Sequence, residues 1–422
     1  MAVPASYIRS VHTVIALLIA ILIPGVVYAQ AAVPYTVVFD SYMTAQAGAQ
    51  SLVTAQHVLA AAEDRWLPLK MGEERSRPAL ALGILYRAGK FIGLDIPQDH
   101  FLLVVAHEVF GHGSRFRELG DGRIRYGFDA PIPYGSGDAV TKFNGLFPIS
   151  PLASLNVSAA GIEAQHVLAD AITERAVTRG RLHYREAWLY FESRMAALSY
   201  TLSASPTSSE GHDIADFLDT FQEACSAPCE PLTRRYVQDR ALIVLADPLL
   251  YYSIYGFAAS YIGSGNATGP MPLIPVGGGV RVLPSLGYAL APYGGELVVR
   301  TSITSDRTGW RFTNIALRAG NTGASTTWGV SARVADVLEL RGLRFGLAID
   351  MWRQPELLAE QTSAPLHLGG GAVANTIVPL PRKFRTSWLQ GIYVAAGYKT
   401  QGYVPGEQLS GGAVVRAGIA LR

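Results

Sequence analysis

Near residue 270 the spacing of apolar side chains changes from three or four positions to two, and that change divides what the chain can fold into. Before it, Ser51 to Asp64, His100 to Gly120, Ala159 to Arg179, Tyr184 to Ser203, Ile214 to Ala224 and Arg235 to Ile262 show helical spacing. Pro97, the turn region from Pro131 to Gly135, and Ser205-Pro206 separate them. After it, Leu343, Phe345, Leu347, Ile349 and Met351 alternate with Arg344, Gly346, Ala348 and Asp350. Ala413, Val415, Ala417, Ile419 and Leu421 repeat the pattern to the end of the chain. Turn signals such as Gly320-Asn321-Thr322-Gly323 and Pro405-Gly406 cut this part into about seven strand-sized runs, and Tyr35 to Tyr42 supplies an eighth.

The expected class is α+β. A mainly helical domain over residues 32–269 precedes a C-terminal antiparallel β-barrel of about eight strands over 270–422. Aromatic residues gather near strand ends (Trp310, Trp328, Trp352, Trp388, Tyr398), and several runs approach the roughly 9–11 residues of a membrane strand. A soluble sandwich also alternates, and the chain ends on Ala420-Leu421-Arg422 without a terminal aromatic. Ala241 to Ile262 is strongly apolar, but Asp247-Pro248 interrupts it, so it reads as a buried core helix.

Composition agrees with a membrane-associated part. Of 422 residues, 16% are charged and 49% hydrophobic, and mean hydropathy is +0.21. The net charge is +2 with no basic block, so nucleic acid is not implied. Residues 1–31 read as a secretory signal: Arg9, an apolar run from Val14 to Val27, then Ala29-Gln30-Ala31, with Val27-Tyr28-Ala29 as a second cleavage point. The alternative is an uncleaved anchor helix. Export to a bacterial envelope exposes Cys225 and Cys229 to oxidising conditions, so a local disulfide is expected.

Chemistry concentrates at His107-Glu108-Val109-Phe110-Gly111-His112. Neutral imidazoles are good zinc ligands, and a carboxylate beside the first ligand serves as general base. The common zinc-peptidase spacing puts the two His four apart on one helix face. Here they are five apart. At about 100° per residue, four positions leave side chains about 40° apart and five leave them about 140° apart. A π-bulge or local break is needed to bring them back together, and Gly111 tolerates such a distortion.

The six residues resemble the H-E-x-x-G-H motif of the dipeptidyl peptidase III family of zinc peptidases. The resemblance implies that His107 and His112 bind zinc, that Glu108 activates water, and that a Glu some fifty residues downstream completes the site. Glu163 looks like that residue. His166 and Glu118 compete with it, and Asp170, near the same face as Glu163, suits an outer contact to a ligand His. His166 shares that outer position. His100 reads as part of a helix start, His183 and His212 as loop histidines able to steady an oxyanion. Arg115 and Arg117 read as a solvated helix end or a clamp for a substrate carboxylate.

The function expected is a zinc-dependent hydrolase, a metallopeptidase acting on peptide or protein through a zinc-activated water with Glu108 as base. The alternatives are a zinc hydrolase of lipid or cell-wall amides, and an outer-membrane barrel with a non-catalytic metal-binding or plug domain. The expected location is the outer membrane, with the helical domain facing the periplasm or held by the barrel.

Overall fold

The protein is seen in a computed structural model that describes residues 34–421 except 68–75, 121, 136–138, 146–149, 206–210, 226–228, 231, 306–312, 342, 358–363, 382–383, 385 and 387. The expected leader, residues 1–31, lies outside the described residues.

The described residues begin with a strand, β1 (Tyr35–Phe39), which runs into α1 (Ala45–Trp66), capped by the Thr44 hydroxyl. Then come α2 (Arg77–Lys90), α3 (Ile96–Val105) and α4 (Gly113–Leu119). A hairpin of β2 (Gly122–Phe128) and β3 (Ala139–Gly145) follows. The longest helix, α5 (Pro151–Arg179), has Ser150 as N-cap, Pro151 in its first turn and Gly180 in the left-handed conformation at its end. After β4 (Arg181–His183) come α6 (Tyr184–Ser203), α7 (Asp213–Ala224), α8 (Arg234–Ala241), α9 (Pro248–Ile254) and β5 (Thr268–Pro270). Cys225 and Cys229, just past α7, are joined in a disulfide. Asp247-Pro248 breaks the long apolar run, with the Asp247 carboxylate capping α9. Neither α2 nor the β2–β3 hairpin is marked by the periodicity of the sequence.

The remaining strands are β6 (Ile274–Gly277), β7 (Val280–Ala291), β8 (Gly294–Ser305), β9 (Thr313–Asn321), β10 (Thr326–Leu340), β11 (Leu343–Pro355), β12 (Leu366–Pro379), β13 (Leu389–Lys399) and β14 (Gly412–Leu421). Each pairs antiparallel with the next, and β1 pairs with β14, with Tyr35 opposite Leu421. The ten-stranded sheet has β1 and β6 at its edges, so the expected closed barrel of about eight strands is corrected to an open sheet among the described residues. Both edges are spoken for. At β1, Ser51 Oγ of α1 accepts from Val38 N (2.9 Å) and donates to Val38 O (3.0 Å), and Thr54 Oγ1 donates to Thr36 O (2.8 Å). At the other edge β6 is four residues long and contains Pro275, which has no N–H to offer a further strand.

The cross-strand rows show how the sheet is oriented. One row runs Pro284, Thr301, Ile315, Ala332, Ile349, Ala372, Tyr398, Ala413. The adjacent row, on the opposite face, runs Ser285, Arg300, Ala316, Ser331, Asp350, Gly371, Lys399, Gly412. The charged face is the covered one. Asp350 and Lys399 are buried, as are Arg318 and Arg416, two and four residues along their strands from this row. Val415, Ile419, Ile392 and Leu317 on the other face are exposed.

Helix α5 packs on the covered face. Leu168, Ala169, Ile172 and Ala176 are fully buried in the main core, and Asp170 pairs with both Arg300 of β8 and Arg194 of α6.

Candidate metal centre

The motif lies between α3 and α4, in a helix that continues from Ile96 to Leu119 but changes to π geometry over Ala106–His112. A π turn closes i→i+5 hydrogen bonds, so residues five apart come onto one side. That turn supplies the rotation demanded by the five-residue spacing. His107 Nε2 and His112 Nε2 are 3.2 Å apart.

Gly111 has a role other than tolerating distortion. A Cβ there would lie 2.7 Å from Ala160 O and 2.8 Å from Gly161 Cα, so the residue is small because α5 passes directly beside the π turn. Gly161 is small for the reciprocal reason, since a Cβ on it would lie 2.3 Å from both Cε1 and Nε2 of His107. On the other side Phe110 packs over Gly48 of α1. The π turn is thus clamped between two helices by close approaches that leave no space for larger residues.

The third member of the group is Asp213, the first residue of α7. Its Oδ2 lies 3.0 Å from His107 Nε2 and 3.2 Å from His112 Nε2. Among the described residues these three could hold a metal ion. Tetrahedral bonds of roughly 2.0–2.1 Å give ligand-to-ligand edges of about 3.3 Å, and the observed triangle matches that size.

The protonation pattern also fits. His112 Nδ1 sits 2.8 Å from Val157 O. A carbonyl oxygen only accepts, so Nδ1 carries the hydrogen and the lone pair of a neutral imidazole is on Nε2, facing Asp213. Two imidazole nitrogens and a carboxylate oxygen then converge, and something positive has to sit among them. Burial opposes charge on His112, yet the Asp213 carboxylate outweighs it and raises the imidazole to about 9. Burial likewise works against the Asp213 carboxylate, but His112 and His107 hold it well below the usual range.

Glu108 is buried, and its Oε2 accepts from the Thr141 hydroxyl of β3 at 2.5 Å. Tyr200 of α6 accepts from the Asp213 N–H at 3.0 Å and stacks on His212, with ring centroids 4.3 Å apart.

The other sequence candidates sit elsewhere. Glu163 is corrected as third ligand. It lies two positions past Gly161, about 200° around α5 from the residue that touches His107. Its two oxygens receive Arg115 Nη2 at 2.7 and 2.9 Å, and Gly406 N donates to Oε1 at 2.7 Å. Glu118 accepts from the backbone N–H groups of Leu409 and Ser410. Arg115 is therefore a buried cation tying α4 to α5 and to the β13–β14 loop, in place of a solvated helix end. His166 and Asp170 meet Arg194, not the motif histidines, so neither is an outer contact to His107 or His112. His100 meets Glu192, and His183 caps α6. Arg117 bonds the Tyr126 hydroxyl of β2 at 2.5 Å.

Asp213, Thr141 and Tyr200 are missed by the sequence. The one local signal is His212, read there as a loop histidine and in fact the neighbour of the ligand.

Comparison of the chain with family models, with curated proteins and with solved structures finds no match.

Proposed function

We propose that this chain is a zinc-dependent hydrolase, a peptidase by its motif, held at a bacterial outer membrane by its sheet. The observation that carries the reading is the triangle of His107, His112 and Asp213 atoms at 3.0–3.2 Å with Glu108 next to the first ligand. Two His and one carboxylate are a catalytic ligand set, because three protein ligands leave a position open, whereas a structural site fills all four. Zinc bound there supplies Lewis acidity, which makes water nucleophilic near neutral pH and polarises a carbonyl. Glu108 takes the proton of the attacking water and delivers it to the leaving amine. Thr141 fixes the Glu108 carboxylate by donating to one oxygen, leaving the other as the base. Val157 O holds the His112 tautomer.

The sheet supports the membrane part of the reading. An apolar face turned outward and a charged face turned onto a helix reverse the usual order for a sheet in water, and suit strands whose outer face meets lipid. No single described helix is long and apolar enough to cross a membrane, which leaves strands that cross unaddressed. The hairpin over Glu108 exposes Arg123, Arg125 and Lys142, which supports a water-facing metal centre.

The test is to express the exported form, dialyse it, and measure zinc together with cleavage of casein, a lipid amide and a cell-wall amide. One equivalent of zinc is expected, with casein cleaved. Glu108→Gln keeps the zinc and loses cleavage. A protein that holds no zinc, or a Glu108→Gln variant with undiminished turnover, refutes the proposal.

A further inference from the structure

A second apolar surface lies away from the sheet, on helices. In α2 and the π turn that follows it (Phe91–Asp95), Leu80, Leu82, Leu85 and Ile92 are exposed, Leu85 at 69% and Ile92 at 66%. Arg77, the first residue of α2, is exposed, but the other two cations of the stretch point inward. Arg87 is 1% exposed and donates to the Ile262 and Gly263 carbonyls. Lys90 reaches Glu63 at 2.7 Å, Asp95 at 2.6 Å and the Tyr184 hydroxyl at 2.9 Å. A helix on a water-facing surface puts its leucines in and its arginine and lysine out, and this one does the opposite.

The neighbouring helix also turns large apolar side chains outward. α9 and its following π turn (Tyr255–Gly263) bury Leu249, Leu250 and Tyr261 on their inner side, yet Tyr251, Ile254 and Tyr255 are exposed while Ser253 and Ser260 are buried. The Arg87 bonds to Ile262 and Gly263 lock the two stretches together. Three residues after β5 the chain enters β6, the sheet edge, where Ile274 and Val276 are exposed. The chain thus passes from the helical surface to the β6 edge of the sheet, with apolar side chains exposed at both.

We infer that α2 and α9, each with its π turn, form a second lipid-contacting surface that continues the outer face of the open sheet, its occupant the acyl chains of a phospholipid bilayer. The inference rests on the membrane reading of the sheet and extends it to helices. It explains why the charges of this region are gathered into one buried set. Arg185 pairs with Glu63 at 2.8 Å and with Asp99 at 2.6 Å, and Lys90 pairs with Glu63 and Asp95. Ionised groups near hydrocarbon persist when they face the interior and pair with one another. It also gives a use for the 63° bend at Asp247, which lays the apolar run along the surface in two pieces.

The test uses the full chain in phosphatidylethanolamine–phosphatidylglycerol vesicles. The native cysteines are paired with each other, so a single introduced cysteine takes a nitroxide label alone. Labels go on the helices (Leu82→Cys, Leu85→Cys, Tyr251→Cys), on the sheet (Leu317→Cys, Val415→Cys) and on the exposed hairpin (Arg125→Cys). Collision broadening by oxygen reports lipid, and broadening by a nickel chelate reports water. The expected result is that the helix labels gain oxygen and lose nickel accessibility as the sheet labels do, while Arg125→Cys does the reverse. Helix labels that follow Arg125→Cys while the sheet labels stay nickel-protected overturn the inference and leave the sheet reading standing. Labels that all follow Arg125→Cys overturn both. Helix labels closed to oxygen and nickel alike show a protein partner on this surface and overturn the lipid assignment.

Discussion

Gly161→Ala adds one methyl group to α5 at the point where that helix touches the metal centre. The new Cβ would stand 2.3 Å from His107 Cε1 and Nε2, while ordinary contact begins at 3.4 Å. The imidazole therefore has to retreat by about 1.1 Å, the difference between these two distances, or α5 has to move away from the π turn. The second route is closed, because α5 is packed into the core on its other sides, with Leu152, Leu155, Leu168, Ala169 and Ile172 fully buried. The substitution is mild for folding, since Ala gains about 1 kcal/mol of helix propensity over Gly against roughly 1–3 kcal/mol for overpacking. For the site it is severe, because a displacement of about 1 Å in a catalytic group costs on the order of a hundredfold in rate. The assay compares zinc retention after dialysis and kcat/KM for wild type, Gly161→Ala and Gly89→Ala, the last at a helical glycine with nothing within 4 Å of its Cβ. Gly161→Ala is expected to melt within a few degrees of wild type, to lose zinc on dialysis and to turn over about a hundredfold more slowly. Gly89→Ala stays at the wild-type level. Wild-type zinc retention and turnover in Gly161→Ala would show that His107 is not held against α5 as described.

Two further results separate the ligand set and the site's charge state. Asp213→Asn is expected to fall well below one equivalent of zinc by elemental analysis. Glu163→Gln keeps its zinc but melts lower, by up to roughly 3–5 kcal/mol of stability, because buried Arg115 loses its ion pair; zinc loss in Glu163→Gln with retention in Asp213→Asn reverses the assignment. In metal-free protein the raised His112 pKa favours the folded state, fully below the unfolded value near 6.5, and the benefit disappears as pH rises through about 9. The shift is worth on the order of 3 kcal/mol, so the metal-free melting temperature should drop between pH 7 and pH 10, whereas zinc-loaded protein, its His112 already neutral, should not follow it.

What the sequence discloses and what it hides follow from the range of each interaction. The five-residue spacing of His107 and His112 is a local fact with one local solution, and the π turn is that solution. The alternation from Leu343 to Met351 is equally local, and it appears as β11. The strand at Tyr35 is legible because its neighbours alternate, although only Tyr35–Phe39 pairs. Asp213 is hidden because nothing near it in sequence indicates that α7 will begin against the π turn. Closure of the sheet is hidden because alternation specifies faces and says nothing of edges, and here two hydroxyls on α1 take the place of a further strand. Helix α2 escapes because Arg87 and Lys90 are turned inward, which erases the pattern of a polar outer face.

The pairing of β1 with β14 has a consequence for how the molecule is assembled. The strand made of residues 35–39 finds its partner in residues 417–421, so its backbone bonds close a loop of nearly the whole described chain. Contacts of such long range form late and slowly, since the entropy of closing the loop is lost before any pairing repays it. Until then β1 has the helices beside it, with Ser51 and Thr54 of α1 holding the edge that will stay outermost. The helical part thus presents a one-strand template, and β14, the last of the described strands, is the one that docks on it.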